Sequence, residues 1–207
     1  KTVRIAFLGT PDFALPSLHM LIMEGHTLCV FTQPDKPRGR HAELTPSPVK
    51  ALAEQHGIPV YQPKRIRDAE GQDALLQFAP DVMVTAAFGQ MLSAENLSAA
   101  KHGCINVHGS LLPRYRGAAP IQWAIIEGET ITGITAMQTD IGLDTGDILL
   151  QKELAILPDE TAGELSMRMA QLGAETLQET IAMLEQGTLP REKQDEDKAT
   201  YCSLLKK

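Results

Sequence analysis

The sequence lacks the features that mark several large classes of protein. Its three cysteines, Cys29, Cys104 and Cys202, are odd in number and widely spaced, which indicates neither a disulfide framework nor a zinc site. No apolar run approaches the roughly 20 residues that span a bilayer, and residues 1–9 have no signal-peptide pattern. We therefore expect a cytoplasmic protein with no metal and no membrane partner.

The glycine motifs of nucleotide-binding enzymes are also missing. The first predicted strand ends in Gly9-Thr10-Pro11-Asp12 rather than in G-x-G-x-x-G, and the sequence contains no phosphate-binding G-x-x-x-x-G-K-[ST] motif. The net charge of -7 disfavours a nonspecific nucleic-acid coat, because phosphate binding needs clustered cations. Lys36, Arg38 and Arg40 form one such cluster, although charge runs usually lie in a solvated loop.

The sequence does contain an alternation of apolar strands and amphipathic helices. Strand patterns cover 3–8, 28–32, 82–87 and 104–108, and helical patterns cover 12–24, 46–56, 73–78 and 118–127. This alternation predicts an α/β fold with a Rossmann-like, mostly parallel twisted sheet and helices on both faces. Two further strand patterns, 132–139 and 147–156, predict an antiparallel extension, and 161–186 predicts a long helix.

Three polar residues form the predicted reacting group. Asn106 and His108 are two apart on a strand, so they share a face at the carboxyl end, where open parallel sheets bind ligands. Asp144 lies in a turn rich in carboxylates and glycines. Taken singly, the three have ordinary explanations as a cap, a structural histidine and a turn former. Together, beside the apolar loop Ser110-Leu111-Leu112-Pro113, they suit attack of an amine on a carbonyl.

In this hypothesis Asn106 and protonated His108 stabilise the oxygen that becomes negative during the attack. Asp144 orients the imidazole, favours its charged form and helps to remove the amine proton. No serine or cysteine nucleophile is needed, because the amine attacks directly, and Ser110 lacks a G-x-S-x-G elbow. The turn around Asp144 also lacks the ligand spacing of a calcium loop.

Two stretches resemble the signature of folate-dependent formyltransferases: INVHGSLLPRYRGAAPIQWAI at 105–125 and DIGLDTGDIL at 140–149. The resemblance implies a Rossmann-like fold, with 10-formyltetrahydrofolate as formyl donor and Asn106, His108 and Asp144 as catalytic residues. It also implies three folate-side segments, two of which enclose the pterin largely through backbone groups. These segments are Ser110, Leu111, Leu112, Pro113; Phe88, Gly89, Gln90, Met91, Leu92; and Thr139, Asp140, Ile141, Gly142, Leu143.

The segments 5–13, 31–40 and 47–50 are similar to family members whose acceptor is the methionine amine on initiator tRNA. In those members the loop after Gln33 wedges against the acceptor end of the tRNA, so Lys36, Arg38 and Arg40 are expected to contact phosphates. The centre of this loop is His41-Ala42-Glu43, where the resemblance leads us to expect more lysines. Glu43 would weaken a phosphate contact there.

The same resemblance implies a domain organisation. We expect residues 1–189 to form the catalytic domain and residues 190–207 to begin a linker to a C-terminal β-barrel domain that binds tRNA. We also expect a monomer.

Three alternatives remain open at this point. The acceptor could be a small amine, such as an amino-sugar nucleotide or a glycinamide ribonucleotide, although a small acceptor needs no wedge like the loop 33–50. Water could replace the amine, which would make the protein a formyl-folate hydrolase that uses the same three residues. A non-catalytic folate-binding module is the third alternative, and it predicts that His108→Ala leaves the biological activity intact.

Overall fold

The computed structural model describes residues 2–206, which divide into two compact units, one up to Ile105 and one from Asn106 onward. The elements of the first unit are β1 (Arg4–Gly9), α1 (Leu15–Met23), β2 (Thr27–Phe31), β3 (Lys36–Arg38), β4 (Glu43–Thr45), α2 (Pro48–Gln55), β5 (Val60–Tyr61), α3 (Ala69–Phe78), β6 (Val82–Ala86) and α4 (Ala94–Ser98). Its main strands run parallel in the order β6-β1-β2-β5. Residues 5–8 of β1 are completely buried, which explains their uninterrupted apolar pattern.

A small antiparallel hairpin interrupts this unit between β2 and α2. It consists of β3 and β4, with Lys36 opposite Thr45 and Arg38 opposite Glu43. Every residue of β3 is exposed. The helix that follows begins with a capping interaction, in which the Ser47 hydroxyl accepts a hydrogen bond from the Lys50 backbone N–H.

The second unit holds the predicted antiparallel extension. Its elements are β7 (Cys104–His108), which starts in the first unit, then β8 (Arg116–Gly117), α5 (Pro120–Ile126), β9 (Ile131–Gln138), β10 (Ile148–Ala155), α6 (Ala162–Gln186) and β11 (Tyr201–Cys202). The strand order is β7-β9-β10, and β10 runs antiparallel to β9. The short strands β8 and β11 pair in parallel.

The long helix α6 covers one side of this unit. A capping box between Thr161 and Glu164 starts it, and Gly187 ends it in a left-handed conformation with a φ of 71°. Gly173 faces β7 so closely that a β-carbon there would lie 3.1 Å from Cγ1 of Val107. The helix and the strand therefore approach each other at a position that has no side chain.

The predicted fold class is confirmed: the chain forms a Rossmann-like, mostly parallel sheet with helices and an antiparallel extension.

The largest boundary difference is in α3, which begins at Ala69 rather than at Asp73. Gly71 lies in the first turn of α3, and because glycine is unfavourable within a helix, the sequence pattern does not show that the helix begins at Ala69. Gly71 is needed there because a β-carbon would lie 2.4 Å from the Ile66 carbonyl oxygen. Among residues 2–206, no helix is both long and apolar enough to cross a membrane.

Candidate active site

The end of β7 presents the first two residues of the predicted reacting group. Asn106 is half-buried and His108 is buried, with 7% of its surface exposed. The alternation of side chains along a strand puts these two on one face and Val107 on the other, toward Gly173. The strand therefore offers a carboxamide and an imidazole side by side at its carboxyl end.

The two ring nitrogens of His108 have different partners. Nε2 lies 2.9 Å from the Tyr115 carbonyl oxygen, which can only accept, so Nε2 carries hydrogen and donates. Nδ1 lies 3.7 Å from Oδ2 of Asp144, and that oxygen also accepts a hydrogen bond from the Gly117 N–H at 2.8 Å. The 3.7 Å separation is longer than a hydrogen bond but allows electrostatic attraction. A charged imidazolium would be attracted to both partners, whereas neutral His108 would turn a lone pair toward the carboxylate.

Both partners of His108 have an unusual backbone conformation. Tyr115 has a φ of 58° and Asp144 a φ of 55°, in the left-handed region that non-glycine residues rarely adopt. Such residues cost about 1 kcal/mol or more each and tend to occur at functional sites. The fold therefore maintains an unfavourable backbone at the two positions that contact this imidazole.

The apolar loop after β7 is fixed by two side chains of the extension. Oγ1 of Thr135, on β9, donates to the Ser110 carbonyl oxygen at 2.7 Å and accepts from the Leu112 N–H at 3.1 Å. Nε2 of Gln151, on β10, donates to the Leu112 carbonyl oxygen at 2.8 Å and to Thr135 Oγ1 at 2.9 Å. The Ser110 hydroxyl donates to the Arg114 carbonyl oxygen at 2.6 Å. This serine therefore has a structural partner, and the loop has a set shape.

The turn that carries Asp144 exposes two apolar side chains and buries one hydroxyl. Ile141 and Leu143 are 75% and 50% exposed. Oγ1 of Thr139 is buried, and among residues 2–206 it has no hydrogen-bond partner. A buried polar atom without a partner costs about 1–3 kcal/mol, which a ligand could recover by bonding to it. Among the described residues, this turn therefore combines two exposed apolar side chains with a buried hydroxyl that has no partner.

The predicted folate-side segment of the first unit, 88–92, follows strand β6. Phe88 is buried, and Met91 is 56% exposed. Nε2 of Gln90 donates to Oε1 of Gln33 at 2.9 Å and to the Pro63 carbonyl oxygen at 3.0 Å, and its Oε1 accepts from the Ile66 N–H at 2.7 Å. The Gln90 side chain therefore has protein partners for both its amide nitrogen and its oxygen.

The three predicted cations lie on the hairpin of the first unit. Lys36 and Arg38 are on β3, Arg40 is in the connecting turn, and all three are exposed. Within the described part of the chain, none of the three forms an ion pair, and no cluster of three metal-ligating side chains occurs. The cations are thus available for an anionic partner.

Sequence reasoning does not single out Tyr115, Gly117, Thr135 or Gln151. Tyr115 and Gly117 act through backbone atoms, which any residue type provides, and a left-handed tyrosine has no sequence signal. Thr135 and Gln151 follow the ordinary alternation of a hairpin. Thr135 could have been found only from the register of β9 against β7, which places it beside the loop that follows β7.

Comparison with known proteins now identifies the family. The model of the formyl transferase family matches residues 3–181, and the chain belongs to this family. It is 54% identical over 206 residues to the methionyl-tRNA formyltransferase of Geobacter sulfurreducens, covering 99% of this chain and 65% of that protein. The corresponding protein of Ruminiclostridium cellulolyticum is 53% identical, with 99% and 66% covered. The chain spans just under two thirds of the length of these relatives.

Solved structures agree on the fold. A sugar 3N-formyl transferase, WlaRD, solved with dTDP and 5-N-formyl-THF, superposes with a TM-score of 0.75 at 22% identity, covering 98% of this chain and 70% of that one. Glycinamide ribonucleotide transformylase 1 from Symbiobacterium toebii gives 0.75 at 20% identity, covering 94% and 95%. At this level of identity the similarity concerns the fold alone.

Proposed function

We propose that this protein transfers a formyl group from 10-formyltetrahydrofolate to the amine of methionine on initiator tRNA. The observation that carries the proposal is the oriented pair of His108 and Asp144, whose Nδ1 and Oδ2 atoms are 3.7 Å apart. The identity of more than half to relatives named methionyl-tRNA formyltransferase supports the choice of acceptor over a small amine.

The roles of the three residues follow from their surroundings. Because Nε2 of His108 is held by the Tyr115 carbonyl, the Nδ1 edge is the one left for the reaction, and it faces Asp144. Protonated Nδ1 and the Asn106 carboxamide donate toward the formyl oxygen as negative charge develops on it. Asp144 stabilises the imidazolium and accepts the proton of the attacking amine, directly or through water.

The bond between the formyl carbon and N10 of the folate breaks, N10 takes up the proton that the amine has lost, and tetrahydrofolate leaves. We assign its binding to the loop Ser110–Pro113, to the turn Thr139–Leu143 and to the segment Phe88–Leu92. Two observations support the second of these assignments: the Thr139 hydroxyl has no hydrogen-bond partner among residues 2–206, and the side chains of Ile141 and Leu143 are exposed. The bonds from Thr135 and Gln151 support the first, since a fixed loop binds a rigid ligand with little loss of entropy.

The tRNA is assigned to the exposed hairpin of the first unit. Lys36, Arg38 and Arg40 would contact phosphates there. Glu43 lies opposite Arg38 in the strand register, and its negative charge would weaken that attraction. The proposal further includes a cytoplasmic, monomeric enzyme that needs no metal, with residues 1–189 as the catalytic domain. Residues 190–207 as the start of a linker also remain a prediction.

The test is a transfer assay with 10-formyltetrahydrofolate that offers methionyl initiator tRNA, amino-sugar nucleotides, glycinamide ribonucleotide and water as acceptors side by side. We expect formyl-methionyl-tRNA to form at least about tenfold faster than any other product. Preferential formylation of a small amine, or release of formate without an acceptor, would contradict the proposal.

A further inference from the structure

The segment 190–203 lies beyond the range of the family match and packs along the site of the second unit. Ile148 and Glu192 exchange two backbone hydrogen bonds, at 2.7 and 2.9 Å. Farther on, the backbone oxygen of Thr200 accepts from the Arg116 N–H at 2.9 Å, and its hydroxyl accepts from the Tyr115 N–H at 2.8 Å. The segment therefore contacts both the loop before α5 and the start of β10.

The Arg116 side chain, which is fully buried, anchors the contact. Nε and Nη2 donate to Oε1 of Gln194 at 3.0 and 2.9 Å, and both Nη atoms donate to Glu196 at 2.9 and 2.7 Å. Nη1 also donates to the Tyr201 hydroxyl at 3.0 Å. The bonds to Glu196 raise the pKa of Arg116 against the opposing effect of burial. A buried charge needs such partners, and all of these belong to the segment 190–203.

Gln194 joins this arginine to the turn that carries the predicted catalytic carboxylate. Gln194 is 8% exposed. Its Nε2 donates to the carbonyl oxygens of Asp144 at 2.8 Å and of Gly146 at 2.7 Å, while its Oε1 accepts from Arg116. One carboxamide thus connects the stretch of chain around Arg116, through the Arg116 side chain, to the backbone of the stretch 144–146.

Those two stretches supply both groups that contact His108. Tyr115, whose carbonyl holds Nε2, and Gly117, whose N–H holds the Asp144 carboxylate, are the chain neighbours of Arg116. Asp144 itself is on the other side of the Gln194 bridge. We propose that Gln194 is a positioning residue for the His108–Asp144 pair, because it sets the distance between the two partners of the imidazole.

This role requires an amide in particular. A carboxylate could still accept from Arg116, but it would repel the carbonyl oxygens of Asp144 and Gly146. A methionine of similar length could not donate, and its sulfur is only a weak acceptor. Small displacements matter here, since a misplacement of about 1 Å can lower a rate by up to about a hundredfold.

The first experiment rests on the proposed function and measures formyl transfer by the full chain. We expect kcat to fall at least about tenfold in both Gln194→Met and Gln194→Glu, with the KM for formyl-folate within about threefold of wild type. Gln171→Met, the same change at an exposed position of α6, should leave kcat unchanged. Melting curves establish that each variant is folded. A loss below about threefold in either folded Gln194 variant overturns the proposal.

The second experiment needs no activity. The ¹⁵N shifts of the two His108 ring nitrogens report which nitrogen carries hydrogen. In wild type we expect the Nε2–H form alone. In Gln194→Met we expect shifts averaged between the Nε2–H and Nδ1–H forms. Unchanged ring shifts overturn the positioning role, whatever happens to turnover. If wild type fails to transfer formyl groups but the ring shifts respond to the substitution, the proposed function is wrong and the positioning role stands.

Discussion

The hairpin of the first unit and the His108 site of the second differ in how firmly their charged groups are held. Lys36, Arg38 and Arg40 are exposed and have no ion-pair partner among residues 2–206. His108 and Asp144 are largely buried, and each is bonded to the backbone of the loop after β7. A bond-making step depends on fixed distances between its groups, whereas attraction of a polyanion depends mainly on charge density. The difference predicts that substitutions at the two places affect different measurable quantities.

Removal of the imidazole should have the largest effect. We expect His108→Ala to lower kcat by at least about a hundredfold, the scale of losing a general acid–base or an oxyanion donor. The dissociation constant of formyl-folate should change by less than about threefold. Steady-state kinetics and equilibrium folate binding measure the two quantities. Turnover close to wild type would remove His108 from the mechanism and favour a non-catalytic folate-binding module.

Neutralisation of the carboxylate comes next. Asp144→Asn can still accept from the Gly117 N–H, so the fold should be preserved, but it cannot stabilise an imidazolium. We expect kcat to fall by about thirtyfold to a hundredfold and the pH profile of turnover to change. Asp147→Asn, which breaks only an exposed ion pair with Arg191, is the control. A loss in the control combined with an unchanged profile in Asp144→Asn would identify Asp147 as the true partner.

Substitution of the exposed cations should weaken tRNA binding without slowing the chemistry. For the triple variant Lys36→Gln, Arg38→Gln, Arg40→Gln, we expect about tenfold weaker tRNA binding. The slope of log affinity against log salt should fall by about one for each phosphate that the variant no longer binds. Glu43→Gln, in the same hairpin, should act in the opposite direction. Binding measured at several salt concentrations tests this, and an unchanged slope would place the tRNA elsewhere.

The smallest effect is expected where the site depends on a neighbouring strand. Thr135→Val keeps the shape of the side chain but removes its bonds to the Ser110 and Leu112 backbone. We expect the KM for formyl-folate to rise about threefold to fivefold, with kcat nearly unchanged. Thr132→Val makes the same substitution on the other face of β9 and serves as the control. Equal KM values in the two variants would show that the loop does not need Thr135.

The sequence allows prediction of the elements whose pattern is dense and local. The buried strand at residues 5–8 follows from a continuous apolar run, and the long helix α6 follows from a helical periodicity. Asn106 and His108 can be placed on one face because alternation along a strand is fixed. Their meeting with Asp144 is predicted from the resemblance to a family, not from spacing, since the three come from distant stretches.

The remaining features depend on contacts between residues far apart in sequence. The strands β8 and β11 have two residues each and form only by pairing with each other. The left-handed backbone at Tyr115 and Asp144 depends on surrounding bonds that no local pattern encodes. The polar pattern of the segment 190–203 predicts a linker, although Arg116 gives the segment a partner 78 residues away at Gln194. Whether residues 190–207 also lead to a further domain remains a prediction.

The close approach of α6 to β7 at Gly173 limits which side chains this position can hold. A methyl group there would require Val107 to move by a few tenths of an ångström, and any larger side chain would push harder on the strand. Val107 stands between Asn106 and His108, so the push would reach both of them from behind. A substitution on α6 could therefore disturb Asn106 and His108, although its side chain would lie on the opposite face of β7.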